Sequence, residues 1–126
     1  MSILLITHNL GIVGDLADNV AVMYAGRIVE QAAAATLLQK PLHPYTVALM
    51  RSIPKLGTHA DRLYSIPGSV PNAACLPAGC KFQARCDRAQ GDCTHDPEPQ
   101  LVEIDANARR VRCPYWDKPE LKRMIP

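Results

Sequence analysis

The chain has 126 residues, 48% apolar and 21% charged, an ordinary globular composition with room for one domain or one and a half. Its net charge of +2 is too small to argue for nucleic acid or an anionic membrane surface as a partner. Nothing approaches the ~20 apolar residues of a membrane span, and one Trp, one Phe and four Tyr leave core packing to aliphatic side chains.

Ser2–Ile6 is a short run of β-formers and Leu without polar alternation, which predicts a strand buried on both faces of a helix-covered sheet. Its apolar part, Ile3–Ile6, stops at Thr7-His8-Asn9, too short for a signal peptide, so a cytosolic chain is expected. Thr7-His8-Asn9 would lie at the carboxyl end of that strand, where open α/β sheets place ligand-contacting residues. Leu10, Val13, Leu16 and Ala17 then fall at helical spacing. Val20–Tyr24 and Arg27–Gln31 flank Ala25-Gly26 and predict a β-hairpin. Ala32–Gln39 reads as a helix ending before Pro41. A second helix opens at His43-Pro44, with Tyr45, Ala48, Leu49 and Ile53 on one face, and closes at Pro54.

Nine of the eleven prolines lie from Pro54 onward, so an irregular half follows a regular one. A short strand is expected at Arg62–Ile66, closed by Pro67-Gly68, and a loop over Ser69–Gly79. Phe82, Cys86, Ala89 and Cys93 recur at helical intervals and predict a helix, broken at Gly91, that presents Cys86 to a site. Leu101–Ile104 and Arg109–Cys113 bracket Asp105–Ala108 as a second hairpin that delivers Cys113 on its return strand.

The segment from Cys80 to Cys113 raises a question of stability. Its cysteines Cys80, Cys86, Cys93 and Cys113 are separated by five, six and nineteen residues, and the only bulky apolar companions are Phe82, Leu101, Val102, Ile104 and Val111. That surface does not offset an ordering entropy of roughly 1–2 kcal/mol per residue. A bound metal or cluster would make up the deficit, because binding to an unformed site is itself folding free energy; two disulfides would serve as well. Five cysteines, an odd number, in a cytosolic chain favour metal binding over disulfides. The spacing matches neither zinc-finger pairs nor ferredoxin runs, and by itself leaves cluster, zinc, free thiols and disulfides open.

Leu4-Leu5-Ile6-Thr7-His8-Asn9-Leu10-Gly11 and Asp18–Glu30 resemble the end of an ABC transporter ATPase domain. His43-Pro44-Tyr45-Thr46, Ser52-Ile53-Pro54, Ile66–Pro71, Gly79-Cys80-Lys81-Phe82, Arg85-Cys86 and Val111-Arg112-Cys113 resemble the C-terminal extension of the oligopeptide/dipeptide and nickel importer ATPases. The resemblance implies an α/β fold: the C-terminal piece of an ABC ATPase sheet (strand, helix, β-hairpin), then helices and a small cysteine-rich extension with a short hairpin. It divides the chain into an ATPase piece at residues 1–40, a helical linker at 41–68, the extension at 69–116 and a tail at 117–126. It makes His8 the catalytic switch histidine, which contacts the γ-phosphate of ATP and orients the attacking water, work that phosphoryl transfer needs more than covalent chemistry.

The resemblance further implies one four-iron four-sulfur cluster on Cys80, Cys86, Cys93 and Cys113, with zinc as the alternative and Cys75 outside the set. Lys81, Arg85, Arg88, Arg109, Arg110 and Arg112 would compensate thiolate charge. His59 and His95 are expected to be solvated, and His43 to start a helix that packs Tyr45 on the ATPase body. Ala32 replaces a common Gly, and Asn9 a frequent Asp, without removing a ligand. There is no G-x-x-x-x-G-K-[ST] loop, signature loop or magnesium-binding carboxylate strand. The chain is therefore expected to be the C-terminal third of a longer subunit and not to hydrolyse ATP alone. ATP and Mg²⁺ belong to the full-length subunit, at the cytoplasmic face of the membrane. Its implied partners are a second ATPase subunit, two membrane permeases and an extracytoplasmic substrate-binding protein. A stand-alone Fe–S or zinc module with regulatory duty is the alternative.

Overall fold

The computed structural model describes residues 1–54 and 64–124. Helix α1 (Leu10–Leu16) starts at Asn9, whose side chain accepts from the Gly11 N–H. Strands β1 (Asn19–Tyr24) and β2 (Arg27–Ala33) form the predicted antiparallel hairpin. Ala25 and Gly26 both adopt positive φ, 47° and 76°, which a two-residue turn with the twist of the flanking strands requires. The register slips between Val22 and Met23, leaving Val29 as an extra residue. That bulge accounts for the burial of two consecutive residues, Val29 and Glu30.

Helices α2 (Ala34–Gln39) and α3 (Pro44–Ser52) follow. Ala32 and Ala33 finish β2, so α2 begins two residues later than its helix-forming composition predicts. At α3 the sequence expectation holds: Pro44 opens the helix, and the His43 ring caps it by accepting from the Tyr45 N–H through Nδ1 at 3.1 Å.

The second half is irregular, as its prolines imply. The helix expected around Cys86 is absent; two 3₁₀ turns, Gln83–Arg85 and Gly91–Thr94, stand in its place. The apolar recurrence that predicted the helix arises because Phe82, Cys86, Ala89 and Cys93 all turn inward from loop backbone. Strands β3 (Val102–Glu103) and β4 (Arg110–Val111) form the expected second hairpin. β4 also pairs with β2, through Glu30 opposite Val111, so both hairpins share one antiparallel sheet of order β1-β2-β4-β3.

The strand predicted at Ser2–Ile6 does not form. Its side chains stand exposed, from 52% at Leu5 to 90% at Ile6, because the described residues offer no strand to pair with it. The strand expected at Arg62–Ile66 lies partly outside the described residues, and Tyr64–Ile66 are irregular; His59 is also outside them.

One core serves both halves. Val22, Tyr24, Val29, Ala32 and Leu37 pack with Phe82, Cys86 and Ala89, and Tyr45 packs against the edge of the cluster. The ring centroids of Tyr24 lie 4.7 Å from Tyr45 and 5.1 Å from Phe82. Tyr45 therefore packs on the hairpin, as expected from the sequence, and on the extension as well.

Candidate cysteine site

The four cysteines selected from the sequence come together. Cys80, Cys86, Cys93 and Cys113 line one cavity with His43, Phe82, Arg88, Ala89 and Tyr115, while Cys75 lies exposed and apart. All five are free thiols.

Loop geometry draws them in. Gly79 has φ +65°, and a Cβ there would lie 2.4 Å from the Cys93 carbonyl oxygen and 2.8 Å from that of His95. Only glycine permits this approach. It is fastened by the Gly79 N–H donating to Asp96 Oδ1 at 3.0 Å and by the Cys80 N–H donating to the Cys93 carbonyl at 2.9 Å. Cys113 arrives just past β4, whose register on β2 is continued by the Arg112 N–H donating to the Val29 carbonyl.

Each sulfur accepts from the backbone. Arg88 N–H reaches Cys86 Sγ at 3.4 Å and Gln90 N–H reaches Cys93 Sγ at 3.5 Å. Cys80 is served by the N–H groups of Phe82 and Gln83, and Cys113 by that of Tyr115. Burial nevertheless pushes every thiol up, Cys86 to about 12 and Cys113 to about 11. Repulsion among them adds to this, Cys86 with Cys113 and Cys80, and Cys113 with Cys80 and Cys93. Even with Arg88 beside Cys113 the four stay protonated near neutral pH; a bound metal cation would reverse that order.

The enclosed space is small, about 10 Å³, enough for roughly one water. Among the described residues no three His, Cys, Asp or Glu side chains are arranged to hold one metal ion. This counts against zinc, whose four ligands must crowd around a single centre. A space of about 10 Å³ does not seat a larger metal group either, so the four thiols converge without enclosing one.

The basic residues are redistributed. Of the six proposed to offset thiolate charge, only Arg88 lines the cavity. Three of the others bond main-chain carbonyls instead. Arg85 donates to the carbonyls of Ile66 and Pro67, Arg112 to those of Ile28 and Pro99, and Lys81 to that of Pro77. Arg110 forms a surface pair with Glu103 at 3.5 Å.

Arg109 belongs to a hub that sequence reasoning missed. Glu30, wholly buried, accepts from Arg109 Nη2 at 2.9 Å, from the His43 N–H at 2.9 Å and from the Leu42 N–H at 3.0 Å. Arg109 also bonds the Lys40 carbonyl. A charged residue at an inward strand position, with an arginine 79 residues away, carries no local signature. The two are brought together by the pairing of β2 with β4.

His43 is 1% exposed, and burial, reinforced by the Arg88 and Arg112 guanidiniums, lowers its pKa to about 3. His95 is exposed, its Nδ1 within 2.9 Å of Thr94 Oγ1 and the Gly91 carbonyl. His8 is exposed in the loop before α1 and lines neither this cavity nor the open groove beside Asp92 and Trp116.

Among the described residues no helix is long and apolar enough to cross a membrane. The family described as the oligopeptide/dipeptide transporter C-terminal region matches residues 29–93, just over half of the chain. Oligopeptide transport ATP-binding protein AppD of Bacillus subtilis is 47% identical over 117 residues, which cover 93% of this chain and 35% of that protein. A putative peptide import ATP-binding protein of Brucella abortus is 44% identical over 90% of this chain and 33% of its own length. One of Brucella ovis is 42% identical over 94% and 36%. The chain thus spans about a third of the length of these relatives.

Proposed function

This chain belongs to the oligopeptide/dipeptide transporter C-terminal-region family, and we propose that it is one part of the ATP-binding subunit of an ABC importer for peptides. The carrying observation is similarity to peptide-transport ATP-binding proteins over nine-tenths of the chain or more. In this reading the subunit lies at the cytoplasmic face of the membrane. It works there with a second ATPase subunit, two permeases and a substrate-binding protein.

His8 is the switch histidine of the assembled subunit. Its exposure beside the capped start of α1 leaves the imidazole free to meet a nucleotide held by the rest of the ATPase domain. It contacts the γ-phosphate and positions the attacking water, a role that leaves nucleotide binding largely intact when it is lost. The chain alone, without a phosphate loop, turns over no ATP. In a full-length subunit His8→Ala should lower kcat by more than ~100-fold, the span of a positioned acid–base group, with nucleotide affinity kept. An equal loss of ATP affinity would remove His8 from that role.

Cys80, Cys86, Cys93 and Cys113 are the ligands of one four-iron four-sulfur cluster, which would supply a cross-link between the Gly79–Cys93 loops and β4. The support is the convergence of the four thiols and the N–H group aimed at each sulfur. Anaerobic purification should yield about four irons and four sulfides per chain, lost on changing any of these cysteines to Ser and kept in Cys75→Ser. One zinc and no iron would replace the cluster reading. Against the alternative, a stand-alone Fe–S or zinc module with regulatory duty, stands the similarity of nine-tenths of the chain or more to peptide-transport ATP-binding proteins.

A further inference from the structure

Residues beyond Cys113 attract no attention in the sequence, yet they are fastened to the loop that carries two of the cysteines. Arg123 Nη1 donates to the carbonyls of Gln83 at 2.7 Å and Cys86 at 2.9 Å, the exit of the first 3₁₀ turn. One residue on, the Met124 N–H donates to the Ala89 carbonyl at 2.9 Å. One residue earlier, the Lys122 carbonyl accepts from Gln90 Nε2 at 2.8 Å. Gln90 in turn caps the turn bearing Cys93 and directs its own N–H at the Cys93 sulfur. Three consecutive residues thus hold four successive anchor points, Gln83, Cys86, Ala89 and Gln90, of a loop that has no α-helix or strand to stiffen it.

We infer that Lys122–Met124 is a clasp that keeps the Cys86–Cys93 loop closed over the cysteine site, with Arg123 as its positioning residue. The clasp deepens the reading of these thiols as one site, and rests on it. The space among the thiols is about 10 Å³, roughly one water, so seating a larger group there requires a loop to yield. The Cys80 side is locked by the Gly79 approach and the Cys113 side by the sheet. The Cys93 end of the Cys86–Cys93 loop is tied by the Cys80 N–H and by Tyr115 on Asp92, but its stretch from Cys86 to Gln90 is fastened by bonds from a short segment exposed at Lys122 and Met124 and half-buried at Arg123, the kind of contact that opens first. The clasp therefore sets how fast Cys86 and Cys93 meet small electrophiles, oxidants or chelators.

The test uses the full chain, metal-free and reduced, with anaerobic iodoacetamide labelling of each cysteine followed by mass spectrometry and Cys75 as the exposed reference. Arg123→Met keeps the apolar stem and removes both donors. It should speed labelling of Cys86 and Cys93 by ~10-fold, the factor for losing bonds worth about 1.4 kcal/mol, and leave Cys80 and Cys113 within about twofold of the parent. Arg123→Lys, which still donates to two carbonyls, should stay within ~3-fold of the parent. Should Arg123→Met fail to fold, Met124→Pro, which removes the N–H to Ala89 and restricts the backbone of Arg123, should give the same selective rise. Unchanged rates, a rise at all four site cysteines together, or Lys behaving as Met would each overturn the clasp. A parent that binds no iron would refute the cluster and leave this outcome readable.

Discussion

Ile3–Ile6 forms an unbroken apolar run and stands 52–90% exposed, whereas Phe82, Cys86, Ala89 and Val111, from a segment poor in bulky side chains, are buried to 8% exposure or less. The difference lies in what each backbone can pair with. A strand with no neighbour cannot satisfy its N–H and C=O groups by burying its side chains. The extension, although poor in apolar surface, is joined to β2 by a ladder, a buried ion pair and the Arg112 bond to the Ile28 carbonyl, and so places its few apolar residues in a core another segment supplies. Hydrophobicity nominates residues for burial, and backbone pairing elects them.

The comparison breaks most sharply if the extension proves dispensable to the core. Phe82→Ala should destabilise the protein by about 3–5 kcal/mol in urea unfolding, the cost of truncating a buried aromatic; under about 1 kcal/mol would mean the extension is not docked. Glu30→Ala strands Arg109 and two buried backbone N–H groups, and should cost about 3 kcal/mol or more. Arg109→Met should cost less, because Glu30 keeps its two backbone donors. The reverse order would misplace the hub. Next comes Gly79→Ala, at about 2 kcal/mol from the positive φ and the approach to the Cys93 carbonyl. It should separate Cys80 from Cys93 and speed labelling of both, and an unchanged melting temperature would deny the close approach.

His43 gives a pH signature. Its pKa falls from 6.5 in the unfolded chain to about 3 when folded, so between those values only the unfolded chain takes up the proton. Its contribution is complete above pH 6.5 and declines as pH falls toward 3, by up to about 1.4 kcal/mol per pH unit. His43→Asn keeps an N-cap acceptor for α3 and should flatten this part of the stability profile. Parallel profiles for parent and variant would mean that other groups carry the acid sensitivity.

Much of this was legible locally. The first hairpin followed from two β-rich runs around Ala25-Gly26, α3 from His43-Pro44, and the second hairpin from the runs flanking Asp105–Ala108. The convergence of Cys80, Cys86, Cys93 and Cys113 was drawn from resemblance and low apolar content, and the four line one cavity. What stayed hidden was non-local: Glu30 with Arg109, Arg85 with Ile66 and Pro67, and Arg123 with Cys86 depend on chain reversals no short window encodes. The helix expected through Cys86 failed for a related reason. Inward side chains at intervals of three and four also arise from a loop wrapped on a core, and period alone does not separate the two.

The smallest expected effect concerns the other half of the comparison. Leu4 is 89% and Ile6 90% exposed, so Leu4→Thr and Ile6→Thr, which keep β-branched or β-compatible side chains, should each change unfolding free energy by less than about 0.5 kcal/mol, as substitutions away from packed features do. Association is where they should act. An unpaired apolar run offers both free backbone groups and apolar surface to a second chain, so the double variant should scatter less light on concentration than the parent while melting at the same temperature. Had the run been docked within the chain in solution, the pair of substitutions would remove buried apolar area at ~25 cal/mol per Å² and lower the melting temperature. A drop in melting temperature with unchanged scattering would therefore place Ile3–Ile6 against this chain's own core and undo the contrast drawn above.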